Sequence, residues 1–168
     1  MTISRFEAVV QTDYHQFTIE AGPARELIHG QDPILPLGVF AGDIIRVRVG
    51  IRSGPVNVAV EVCEEAPGYN DGEWEDIAEG DLAQNSNDGV NILSFWDFEP
   101  RADGEDAPSL RGLTPPGNLR YRIRICARGK GIRFDSYLDG EPVEDYLIQL
   151  WPTTTDQSPV QIKNASGR

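Results

Sequence analysis

The sequence is short of the residues from which most catalytic and metal sites are built: it has two histidines, two cysteines and one methionine in 168 residues. Cys63 and Cys126 stand alone, with neither a CxxC pair nor a histidine at ligand spacing, so a structural metal centre has no ligand set. They read as two buried or half-buried thiols, and a disulfide is open only if the fold makes them neighbours. The GxSxG, HExxH, GxxxxGK(S/T) and GxGxxG patterns are absent, which removes the commonest marks of nucleophilic, zinc, phosphate and dinucleotide chemistry. No apolar run approaches the roughly 18 residues of a membrane span. The opening MTISRFEAVVQTDYH also lacks the apolar segment of a signal peptide. The expectation is a soluble cytoplasmic chain with no catalytic residues, no metal and no cofactor.

Basic residues are also scarce, with 15 Lys and Arg against 27 Asp and Glu, a net charge of -12. That balance repels nucleic acid and anionic lipid at long range and suits a basic protein partner, although solubility is the commoner reason for acidity. The acid is concentrated. Between Glu61 and Asp106 fifteen acidic residues accompany a single basic one, Arg101.

Turn formers and alternation are what the chain does have. Its 17 glycines and 12 prolines divide short segments whose apolar residues recur every second position, the period of a half-buried strand. In IIRVRVGIR, Ile45, Val47, Val49 and Ile51 oppose Arg46, Arg48 and Arg52. In GPVNVAVEVC, Val56, Val58, Val60 and Val62 alternate with Asn57, Ala59, Glu61 and Cys63, and the SGP between these two runs favours a hairpin. NLRYRIRICAR repeats the design, with Leu119, Tyr121, Ile123 and Ile125 against Arg120, Arg122, Arg124 and Arg128. Further strands are expected over Phe6–Thr12, Tyr14–Ala21, Val90–Phe98 and Tyr146–Trp151, while PARELIHG is a turn of helix or a loop. About seven strands with no long apolar helical stripe predict an all-β, antiparallel two-sheet sandwich with long acidic loops. Residues 1–152 form its single domain and 153–168 a flexible tail.

Two features bear on function. A strand over Tyr14–Ala21 sets His15 on the apolar face with Phe17 and Ile19, which favours a half-buried histidine bonded to a carbonyl over a general base. The arginine faces would repel if directly opposed. An ion-pair lattice with interleaved acids such as Glu7, Glu20 and Glu61 is favoured over an anion site, because carboxylates are in excess.

The stretch YHQFTI, Tyr14 to Ile19, resembles the N-terminal strand of the competence protein J family. TPPGNLRYRIRICARG, Thr114 to Gly129, is similar to that family's late Pro-Gly turn leading into an alternating strand with a cysteine. The acidic middle and the arginine faces have no counterpart in the resemblance. Residue by residue it covers Tyr14, His15, Gln16, Phe17 and Thr18, as a fold signature. The family's described member inhibits the DNA-entry nuclease, so the resemblance implies a non-enzymatic inhibitor.

Charge and resemblance converge on an inhibitor or immunity-type protein whose carboxylates occupy the cationic cleft of a nuclease or other basic toxin. The candidate contacts lie in acidic loops: Tyr69, Asp71, Glu73, Trp74, Glu75, Asp76, Glu79 and Asp81, followed by Asp103, Glu105 and Asp106. Tyr69 and Trp74 are the aromatic anchors that interfaces favour. The plainer reading of the same segment is a solvated loop with Trp74 packed on the body. A sugar- or calcium-binding sandwich using Trp74 or Trp96, and a structural subunit of an assembly, are the alternatives.

Overall fold

The alternating segments become strands in a computed structural model, which describes residues 2–22, 34–94 and 110–168. In chain order these are β1 (Thr2–Thr12), β2 (Gln16–Glu20), β3 (Ile34–Leu35), β4 (Gly38–Ala41), β5 (Ile44–Arg48), β6 (Gly54–Cys63), β7 (Asp76–Ser86), β8 (Asn91–Leu93), β9 (Gly117–Arg128), β10 (Asp145–Pro152) and β11 (Val160–Asn164). Asp71–Glu73 is one turn of 3-10 helix, entered through Asn70, whose side chain accepts the Gly72 amide. The strands form two sheets, one in the order β1-β6-β10-β9-β7-β11 and the other β3-β4-β5-β2-β8. The all-β two-sheet expectation holds. One pair departs from it, since β10 runs parallel to β6.

The apolar faces meet as the alternation dictates. Val56, Val58 and Val60 of β6, Ile123 and Ile125 of β9, and Tyr146 and Ile148 of β10 share one core with Phe17, Ile19, Ile45 and Val47 of the second sheet. Phe17 meets Tyr146 edge-on with ring centroids 5.5 Å apart. Each such side chain, removed from water, stabilises the fold by about 2 kcal/mol.

The expected hairpin at SGP does not form. β5 lies in one sheet and β6 in the other, so the chain crosses between layers from Val49 to Ser53. Gly50 makes the crossing possible, because a Cβ there would lie 2.2 Å from the carbonyl oxygen of Lys130. The strand expected from Tyr14 begins instead at Gln16. Tyr14 (φ 51) and His15 (φ 62) are both left-handed, and the Gln16 amide donates to Asp13 O at 3.1 Å, closing a two-residue turn between the sheets. Few non-glycine residues adopt this conformation, though histidine is among the more tolerant.

Three other expectations change. The acidic run from Gly68 to Leu82 is only partly a loop, because β7 begins at Asp76 and lies between β9 and β11. Within the segment expected to fray, Val160–Asn164 pairs with β7 as β11. It has no strong apolar pattern because it is an edge strand, and Val160 and Ile162 are 44% and 42% exposed. Asn91–Leu93 falls within the expected Val90–Phe98 strand, whereas Phe98, Trp96, His29 and PARELIHG from Pro23 on lie outside the described residues.

Candidate partner-binding face

The outer face of the larger sheet carries the charges that alternation turns away from the core. Register sets Glu79 opposite Arg124 and Asp81 opposite Arg122 across β7 and β9. Arg122 donates to Asp81 Oδ1 at 2.9 Å and lies 3.5 Å from Glu79 Oε1, while Arg124 Nε donates to Glu79 Oε2 at 2.9 Å. Arg124 also donates to Gln149 Oε1 of β10 at 3.0 Å, and Gln149 Nε2 donates to Glu61 of β6 at 2.9 Å. Glu61 then accepts from Arg5 of β1, whose guanidinium also holds Glu7 at 3.0 Å. One chain of charge-assisted bonds therefore crosses five strands, β7, β9, β10, β6 and β1.

The middle of this rail is buried. The Arg122 and Arg124 side chains are 8% and 7% exposed, and each reaches a loop carbonyl as well, Gln157 O at 3.1 Å and Pro67 O at 2.7 Å. Paired and hydrogen-bonded, these guanidinium groups escape the penalty of lone buried charge. Arg124 stacks 4.3 Å from the Tyr69 ring centroid and 5.1 Å from that of Trp151, fixing Tyr69 on the surface.

Beside the rail sits a small second core of Trp74, Ile77 and Cys126, with Leu147 against it. Burial pushes the Cys126 thiol up to about 12, and both cysteines are free. Arg128 covers this core with its guanidinium 4.7 Å from the Trp74 ring centroid, and it donates to Glu73 at 3.0 Å and Asp145 at 2.9 Å. Burial works to raise the Asp145 carboxyl, but bonds from Asn57 and Arg128 outweigh it and hold the group below its ordinary value.

Between the 68–74 loop and the β1 edge lies a groove of about 680 Å³. Its floor includes Ala59 and Leu147, and Tyr69, Glu73, Arg5 and Glu7 form its rim.

The sequence-predicted contacts divide. Tyr69, 38% exposed, and Glu73 line the groove, while Asp71 is exposed on the same turn with Lys163 Nζ 3.3 Å from its carboxylate. Trp74 lines the groove as well, yet it is only 8% exposed and is packed on the body. Glu75 accepts the Gly129 amide. Asp76 is 1% exposed, accepts from Ser166 and lies 3.6 Å from Lys130 Nζ, with Lys130 as buried as itself. Glu79 and Asp81 belong to the rail rather than to a loop. Asp103, Glu105 and Asp106 lie outside the described residues.

The rail is the lattice that alternating arginines suggest, with different partners. Glu7 and Glu61 serve Arg5, Arg122 and Arg124 of β9 take Glu79 and Asp81, and Glu20 sits in the other sheet accepting from Thr18 at 3.2 Å. The signal was available: Glu79 and Asp81 share the two-residue spacing of Arg122 and Arg124. His15 joins no such site; its Nε2 is 2.9 Å from Asp135 Oδ1 and its Nδ1 3.4 Å from Val49 O, clamping the 14–15 turn to the crossover. Among the described residues no group of three or more His, Cys, Asp or Glu is arranged to hold a metal, and no helix is long and apolar enough to cross a membrane.

No protein-family profile matches the chain, and no curated protein matches its sequence. Solved structures do share its fold. A protein described as "Crocagin biosynthetic gene J" is similar at a TM-score of 0.54 and 16% identity, over 89% of this chain and 97% of the other. ComJ from Bacillus subtilis, described as an inhibitor of the DNA-degrading activity of NucA, is similar at 0.52 and 12%, over 91% and 98%. At such identities the likeness is one of fold, and it extends the resemblance seen in Tyr14–Ile19 to the whole architecture.

Proposed function

We propose that this chain is a non-enzymatic, protein-binding inhibitor that blocks a basic partner, a nuclease in the first instance. The observation that carries the reading is the fold shared with ComJ over 91% of the chain. A nuclease holds a polyanion and so presents a cationic cleft, which a rigid acidic surface can fill in place of phosphates. The groove rim is suited to this, with Tyr69 as an aromatic anchor and Asp71 and Glu73 beside it. Trp74 shapes the rim from beneath. Glu75, Asp76, Glu79 and Asp81 act by holding that face rigid, so that little ordering cost falls on binding. Asp103, Glu105 and Asp106 add carboxylates to the same acidic stretch of the sequence and are further candidate contacts. The net charge of -12 speeds encounter with a cation. The inhibitor works in the cytoplasm, without a cofactor.

The test is DNA cleavage by a NucA-type nuclease with increasing amounts of the purified chain, at low and high salt. Stoichiometric inhibition that weakens with salt is expected, and Tyr69→Ala combined with Asp71→Asn and Glu73→Gln should relieve it while the chain stays folded with only a small fall in melting temperature. Absence of inhibition, together with no basic protein retained from extracts of the source cells at low salt, would end the proposal.

A further inference from the structure

The two arginine-faced strands meet different fates. On β9 the register brings Glu79 and Asp81 opposite the guanidinium groups. On β5 it does not: Arg46 lies opposite Thr18 on one side and Val39 on the other, and Arg48 lies opposite Gln16. Among the described residues neither Arg46 nor Arg48 makes a side-chain hydrogen bond or an ion pair, and Arg46 Nε is buried with no partner at all. In a chain with 27 carboxylates neither arginine is given one: Arg46 is half-buried, and Arg48 is exposed beside it on the same face.

Both arginines open into the same cavity, about 270 Å³ on the outer face of the smaller sheet. Gln16 lies beside them, and Tyr14, Ile34, Leu35 and Val39 complete the lining. The wall is rigid at two points. Tyr14 is held in the left-handed turn clamped by His15, and Gly38 lets β4 approach β5 where a Cβ would meet Arg46 O at 2.4 Å. A fixed backbone, left-handed at Tyr14, beside two arginines without a carboxylate partner is characteristic of a prepared binding site.

We propose that this pocket binds an organic carboxylate, with Arg46 and Arg48 holding the oxyanion and Tyr14, Ile34, Leu35 and Val39 contacting its apolar body. Guanidinium forks match the planar, two-oxygen geometry of a carboxylate, and no carboxylate among the described residues competes for either arginine. The aliphatic side of the pocket favours an acid with an apolar chain over a bare inorganic anion. The site is separate from the groove on the larger sheet and does not depend on the inhibitor reading.

The full-length chain should be titrated with hexanoate, with hexanol as the uncharged control and inorganic phosphate as the anion lacking an apolar body, following amide resonances of Gln16 and Gly38 and the melting temperature. Saturable shifts with hexanoate, at least tenfold weaker binding of phosphate and none of hexanol are expected. Arg46→Gln and Arg48→Gln should each lose hexanoate binding at least tenfold. Without ligand, Arg46→Gln should melt at or above the wild-type temperature, because it removes a buried donor that lacks a partner; a large fall would assign Arg46 a structural role and overturn the proposal. Unsaturable shifts, hexanoate binding unchanged in both variants, or phosphate binding as tightly as hexanoate would also overturn it.

Discussion

Glu144, wholly buried just ahead of β10, holds Gly50 in the crossover between the sheets, its Oε1 accepting the Gly50 amide at 2.8 Å. The same carboxylate accepts the Ile51 amide at 2.6 Å and the Tyr146 hydroxyl at 2.6 Å. A single side chain thus satisfies the backbone where the strand ladder has ended and the chain changes layers.

Replacing Glu144 by Ala should therefore be among the most damaging single changes in the protein. Two buried amides and a buried hydroxyl lose a charged acceptor, for a loss of about 4 kcal/mol by the usual worth of hydrogen bonds to charged groups. Chemical denaturation measures it, and a loss under about 1 kcal/mol would mean that water replaces the carboxylate.

Trp74 and Tyr69 should behave differently although both line the groove. Trp74→Ala empties the small core over Ile77 and Cys126 and should cost about 3–5 kcal/mol. Tyr69→Ala, at a ring 38% exposed, should leave stability nearly unchanged while weakening partner binding. Thermal melts alongside inhibition assays separate the two, and a stable Trp74→Ala protein would contradict the packing described for it.

Alkaline stability follows from Cys126. Its thiol pKa is raised by burial from 9.0 to about 12, so the unfolded chain gives up this proton first. The stabilisation is fully present below pH 9 and is lost as pH rises through the interval to about 12. Tyr121 and Tyr146, raised chiefly by burial, act in the same sense, so the comparison must be with Cys126→Ala. That variant should show a shallower decline, by at most about 1.4 kcal/mol per pH unit. Equal slopes in the two proteins would place the thiol in contact with water.

The C-terminal segment should prove necessary for stability. Removing residues 160–168 deletes β11, both Ser166 bonds to Asp76, and the Arg168 carbonyl that accepts Lys130 Nζ at 3.2 Å. Asp76 and Lys130, each 1% exposed, would lose these bonds and keep the 3.6 Å contact between them. A loss of at least about 2 kcal/mol is expected from the orphaned charged groups. An unchanged melting temperature would make the segment an ornament.

The sequence by itself determined the face of each strand, because side-chain direction alternates with every residue regardless of what lies beside it. Val56, Val58 and Val60 had to point one way and Asn57, Ala59 and Glu61 the other, and the same holds for Ile123 and Ile125 against Arg122 and Arg124. Two alternating faces also dictated a layered all-β architecture. Which strand lies beside which is set by contacts between residues far apart in the chain, and only the tertiary structure decided that. It separated β5 from β6, which SGP had joined, because Gly50 and Glu144 support a crossing instead of a hairpin. It drew Asp76–Ser86 out of the acidic run to neutralise β9. Nothing in the spacing of Arg46 and Arg48 distinguishes them from Arg122 and Arg124; the difference is that β2 and β4, rather than β7, are their neighbours.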